Sequence, residues 1–175
     1  MHLREEHNIN YEDITEIICT TSPGQIKRNF EPEEVKYTPP TGYAAISSIP
    51  YMVSAALVEG QLTLAEVTDG KVKDPRILGV AQKVKRAEEP TFRDYQNAAV
   101  EIKLRDGRVV KRDQTVAVGS PEVPASRELI EAKFRRNAKQ CMSDKNMDQI
   151  ITTVLNLENL KDLSALVRLL QNKRF

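Results

Sequence analysis

Apolar and β-branched residues alternate or cluster in ways that assign an element to most of the chain. Residues 14–21, Ile14-Thr15-Glu16-Ile17-Ile18-Cys19-Thr20-Thr21, are rich in β-branched types and stop at Ser22-Pro23-Gly24, which predicts a strand. The run Tyr51 to Glu59 is apolar almost all round and ends at Gly60, which predicts a buried helix. Ser47 and Ser48 offer N-caps to it, and Pro50 suits its first turn. A shorter helix is expected from Pro75 to Lys83, capped by Asp74, with turns and connectors over residues 68–73. Asp106-Gly107 joins two alternating stretches, Val100–Leu104 and Val109–Arg112, the second continuing to Val118. That pattern predicts a hairpin with one solvated face, bearing Glu101, Lys103 and Arg105.

From Ser126 onward the period changes to that of helices. Leu129, Ile130, Phe134 and Ala138 form one stripe. Met147, Ile150, Ile151, Val154 and Leu155 form a second, and Leu163, Leu166, Val167 and Leu170 a third. Residues 2–8 read as the charged tail of a helix that begins upstream. The Pro-bearing stretch with Pro32, Pro39, Pro40 and Gly42 reads as a loop of roughly twenty residues, longer than compact domains usually leave without structure. The predicted architecture is therefore α+β: an antiparallel-rich sheet packed with helices over residues 1–124, then C-terminal amphipathic helices over residues 125–175. The 119–124 segment carries the boundary.

Composition narrows the function classes. The 26 basic and 25 acidic residues are mixed along the chain, so no basic stripe points to nucleic acid. No apolar run approaches the ~20 residues of a membrane span, and a reduced cytoplasmic setting is expected. Cys19 and Cys141 sit in no Cys/His cluster, so zinc and iron–sulfur sites lack ligands and no metal or cofactor is expected.

Five segments, in order, resemble one family. Tyr11-Glu12-Asp13-Ile14 is similar to its strand entry. Ser47-Ser48-Ile49-Pro50-Tyr51, with the Ala-rich helix ending at Glu59-Gly60, resembles its Ser-x-Pro-Tyr segment. Asp74-Pro75-Arg76-Ile77 resembles a helix start, Gly119-Ser120-Pro121 with Leu129–Phe134 a turn and helix, and Leu157–Asp162 the family's C-terminal motif. The family is MmgE/PrpD, that of 2-methylcitrate dehydratase and cis-aconitate decarboxylase. The resemblance implies a lid domain and closing helices that would pack on a large helical domain this chain does not carry.

The resemblance further implies dehydration, decarboxylation or epimerisation of small di- or tricarboxylates without a metal, in propionate-type metabolism and as a dimer. It makes Tyr51 the candidate catalytic residue, a phenol able to donate to a carboxylate, and Ser48 a candidate substrate-binding residue. For both, a bland role stays open: Tyr51 as an aromatic anchor at a helix start, Ser48 as the cap. Ser120 stands where many members carry His, and His2 and His7 do not fall at the family's His. Lys36, Tyr37 and Tyr43 lie in the long loop, where binding is conceivable. The Lys133-Phe134-Arg135-Arg136 run reads as a solvated basic helix face. The expected partners are a small carboxylate and the absent helical domain, or a second copy, through the Met147–Leu155 and Leu163–Leu170 faces. The rival reading is a non-catalytic binding or assembly domain that retains the fold.

Overall fold

Strand β1 (Ile14–Thr21) buries every second side chain, Ile17, Cys19 and Thr21, and lies at the middle of a sheet. The computed structural model describes residues 2–93 and 96–171. β2 (Val84–Glu88), β3 (Ala98–Leu104) and β4 (Val109–Gln114) complete a four-stranded sheet in the order β2-β1-β3-β4. Ile17 stands between Val84 and Ile102, and Ile102 faces Val110, so one row of apolar side chains crosses the inner face. The opposite face is charged. There Glu16 is flanked by Lys103 at 2.8 Å and by Lys85, and these two ammoniums hold its carboxyl down at about 2.

The sheet is mixed, which corrects the antiparallel-rich expectation. β1 pairs with β3 in antiparallel fashion but with β2 in parallel. The cause is the chain between them: it leaves β1, passes through a layer of helices and returns in the same direction, as a parallel pairing requires. β2 itself escaped prediction because Val84 is its only deeply buried residue and Lys85, Arg86 and Glu88 break the pattern.

That layer includes three helices where a loop was expected. Helix α1 (His2–Glu6) comes before the sheet, and α2 (Pro23–Asn29), α3 (Glu33–Tyr37) and α4 (Gly42–Ile46) follow β1. The prolines and hydroxyls start these helices and do not interrupt them. Pro23 occupies the first turn of α2 behind the Ser22 cap, Pro32 precedes α3, and the Thr41 hydroxyl accepts from the Ala44 N–H at 3.2 Å. Helix α5 (Ile49–Glu59) ends at Gly60, whose φ of 73° is the left-handed closure that glycine favours. Helix α6 (Pro75–Ala81) is capped by Asp74 and packs on α5. Leu3, Phe30, Tyr51, Ile77 and the inner sheet row form one core, confined to Leu3–Val110. β4 stops at Gln114, whose side chain turns to the Val116 carbonyl, so residues 115–118 do not extend it.

The chain divides into two compact units, Met1–Val123 and Pro124–Phe175. The second holds α7 (Arg127–Ala138), α8 (Asp144–Leu155) and α9 (Ser164–Leu170). Ser126 and Ser143 cap the first two, and Arg135 reaches Asp148 at 2.6 Å between them. Met147 and Ile150 are buried there, whereas Leu129, Ile130, Leu163 and Leu170 are exposed.

Candidate functional site

The Ser48–Tyr51 segment at the start of α5 is the densest concentration of the candidate residues. The Ser48 hydroxyl accepts the Tyr51 N–H at 3.0 Å and donates to the Lys36 carbonyl. Ser48 is only 1% exposed, so its donor and one acceptor site are spent inside the protein. Tyr51 is wholly buried, and its phenol donates to the Glu66 carbonyl at 2.6 Å. Burial pushes that phenol up to about 12. The structure thus gives Ser48 a capping geometry and Tyr51 an anchoring one.

A frame of buried polar groups surrounds these two. The Lys36 ammonium donates to the Ser47 carbonyl at 2.7 Å and to its hydroxyl at 2.9 Å, and burial lowers its pKa. Glu66 accepts from the Thr63 N–H at 2.6 Å, the Thr63 hydroxyl at 2.7 Å and Gln61 at 3.1 Å. Burial raises that carboxyl's pKa, but the hydrogen bonds from Thr63 and Gln61 outweigh it and leave the group below its ordinary value. Thr63-x-x-Glu66 is a capping box, a signal that the sequence carried and that went unread. Tyr37 donates its hydroxyl to the Val84 carbonyl at 2.9 Å and so ties α3 to β2.

What this frame presents outward is α4. The Gly42 N–H donates to Asp69 at 2.7 Å, and a Cβ at Gly42 would lie 1.9 Å from the Val67 carbonyl oxygen. α4 is therefore pressed against the 64–67 turn, and it displays Tyr43, 87% exposed, beside Ile46. Tyr43 is the phenol on this segment open to a ligand.

Other candidates lie apart from the frame in sequence and in role. Ser120 accepts the Val123 N–H at 3.2 Å within a turn. His2 and His7 are exposed, and the His7 carbonyl accepts from Arg108. Glu59, Lys71, Asp74 and Arg76 form an ion-pair network at 2.6–3.0 Å that locks the end of α5 to the start of α6. Hydrogen bonds from the Arg76 side chain first, and then from Lys71, outweigh burial and hold the Asp74 carboxyl well below the carboxylate range. Among the described residues no group of three or more His, Cys, Asp or Glu could hold a metal ion, and no helix is long and apolar enough to cross a membrane.

Residues 1–158 match the family model of the MmgE/PrpD C-terminal domain. The chain belongs to the MmgE/PrpD family. Among curated MmgE/PrpD-like proteins it is 29% identical to cis-aconitate decarboxylase of Mus musculus over 136 residues, which is 76% of this chain and 28% of that protein. It is 30% identical over 115 residues to the 2-methylcitrate dehydratase-like protein oryR of Aspergillus oryzae (strain ATCC 42149 / RIB 40), 59% of this chain and 23% of the relative. The chain therefore spans about a quarter of the length of these MmgE/PrpD relatives.

Proposed function

We propose that this chain is the α+β unit, with closing helices, of a metal-free lyase acting on small di- or tricarboxylates. The observation that carries the reading is the family match over residues 1–158, with relatives named as cis-aconitate decarboxylase and 2-methylcitrate dehydratase-like protein. Reaction beside a carboxylate needs a base for one proton and an acid for the leaving group. The side chains of Ser48, Tyr51, Lys36 and Glu66 are spent on partners within the first unit, so on this reading the acid–base pair comes from a helical part, on the same polypeptide or another. Tyr51 then acts as a positioning residue: it fixes the turn on which α4 rests, and α4 offers Tyr43 to the substrate side.

The Met147–Leu155 and Leu163–Leu170 faces are proposed to seat on that helical part, or on a second copy. Val154, Leu155, Leu163 and Leu170 each stand about half exposed, an apolar surface that gains by being covered. The inward-turned motif also favours a second reading, a binding or assembly domain that keeps the fold without chemistry.

One assay separates them. Turnover of cis-aconitate and 2-methylcitrate is measured for the chain alone and joined to the helical part of a relative. No turnover alone and clear turnover in the joined protein are expected. A joined protein that folds but stays inert supports the second reading. Tyr51→Phe in the joined enzyme is expected to leave kcat within about threefold, because loss of a true general acid costs about 10²-fold or more. A fall of that size with folding intact would return Tyr51 to the chemistry.

A further inference from the structure

α5 and the inner sheet face leave a groove between them. One cavity of about 190 Å³ is walled by Leu3, Val53, Leu57, Val100 and Ile102, and a second of about 280 Å³ by Cys19, Ile49, Val53, Ala98 and Val100. They share Val53, Val100 and Arg112, so they join into one continuous trough with Arg112 lining both parts. Arg112 is there by register: it follows Val110 by two residues and so points to the same inner face, where it stands opposite Val100.

The charge in the trough is one-sided. Among the described residues no carboxylate lines either cavity, while Arg112 lines both and His2 lines the first. Glu6, outside the trough, takes one Nη1 bond at 3.2 Å. A guanidinium carries five N–H donors in a planar fork, so one such bond leaves an edge able to grip a carboxylate with two parallel bonds.

We propose that this groove binds a monocarboxylate with an unbranched apolar chain, its carboxylate on Arg112 and its chain against Val53 and Val100. A single charge matches a single free guanidinium edge, and methylenes match walls that are almost wholly apolar. A di- or tricarboxylate fits less well, because its further charges would be desolvated against the aliphatic side chains around Val53 and Val100. The proposal does not depend on the lyase reading.

The test is titration of the full ¹⁵N-labelled chain with octanoate, decanoate, octanol and citrate, the amphiphiles below their micelle concentrations. Saturable shifts at Val53, Val100 and Arg112 are expected. Decanoate should bind more tightly than octanoate, by up to about fourfold for each added methylene that the walls still cover. Octanol should bind at least about tenfold more weakly than octanoate, since it lacks the charge-assisted pair. Arg112→Gln should bring octanoate down to the level of octanol and leave octanol unchanged. Val53→Trp should fill the trough and abolish both; if that variant fails to fold, the acid-to-alcohol ratio in Arg112→Gln decides. Equal affinity for octanoate and octanol, citrate binding as tightly as octanoate, or shifts confined to Ile130, Phe134 and Val154 on the helical unit would each overturn the proposal. No turnover is read, so this outcome and that of the lyase assay stand apart.

Discussion

Two weak acids sit inside the sheet–helix core with their protons held by burial. Tyr51 is pushed up to about 12 from an ordinary value near 10, and the Cys19 thiol up to about 12 from near 9. In the unfolded chain both would ionise at their ordinary values, while the folded protein keeps both protons. Between about pH 9 and 12 the native state therefore binds more protons than the unfolded one, and stability falls as pH rises. The urea midpoint is expected to hold steady from about pH 6 to 9 and then decline; Tyr51→Phe and Cys19→Ala should each flatten part of that decline. A midpoint independent of pH up to 11 would show that these groups are not protected. Some of this was legible from residues alone. Ser48 before Ile49-Pro50 announces a cap, and the structure supplies the Tyr51 N–H as its donor. The acceptor for the Tyr51 hydroxyl was not legible, because the Glu66 carbonyl lies fifteen positions on and is brought there by a 3₁₀ turn, Leu64–Val67.

Two glycines mark where one element presses on another, and they differ in what a methyl group would meet. At Gly60 the constraint is the backbone: φ is 73°, and the nearest atoms belong to the mobile end of Arg4. Gly60→Ala should cost about 1–2 kcal/mol, the usual penalty for a left-handed L-residue. At Gly42 the obstacle is the Val67 carbonyl, main chain that cannot swing aside. Gly42→Ala should exceed Gly60→Ala, reaching about 3 kcal/mol, and should disturb the Tyr43 resonances as α4 lifts. Urea denaturation of the two variants checks the ranking. At this scale the strong patterns, β1, α5 and the Asp106-Gly107 hairpin, were readable because each element's own side chains carry its period. β2 was not, since its place depends on β1 beside it. The short helices α2 to α4 hid behind prolines that look like breakers but stand at or just before the helix starts.

At the largest scale the first unit contains a core of its own: its packed apolar cluster runs from Leu3 to Val110. A fragment of residues 1–123 is accordingly expected to fold cooperatively, with a single thermal transition by circular dichroism. A broad, non-cooperative melt would show that the core is insufficient alone. Family membership was legible at this scale because five short motifs kept their order, although the direction in which the central motif faces was not; burial is decided by packing, which a motif does not encode. The parallel pairing of β1 with β2 carries one more consequence, for synthesis. β1 is the first strand of the sheet to leave the ribosome and the only one flanked on both sides in the finished sheet by strands made later. Roughly sixty residues must emerge before β2 can close one side, and more before β3 closes the other. Until then Ile14–Thr21, with its run of β-branched side chains, travels with two bare edges. The nascent chain's period of greatest exposure to wrong partners is therefore written into the strand order itself.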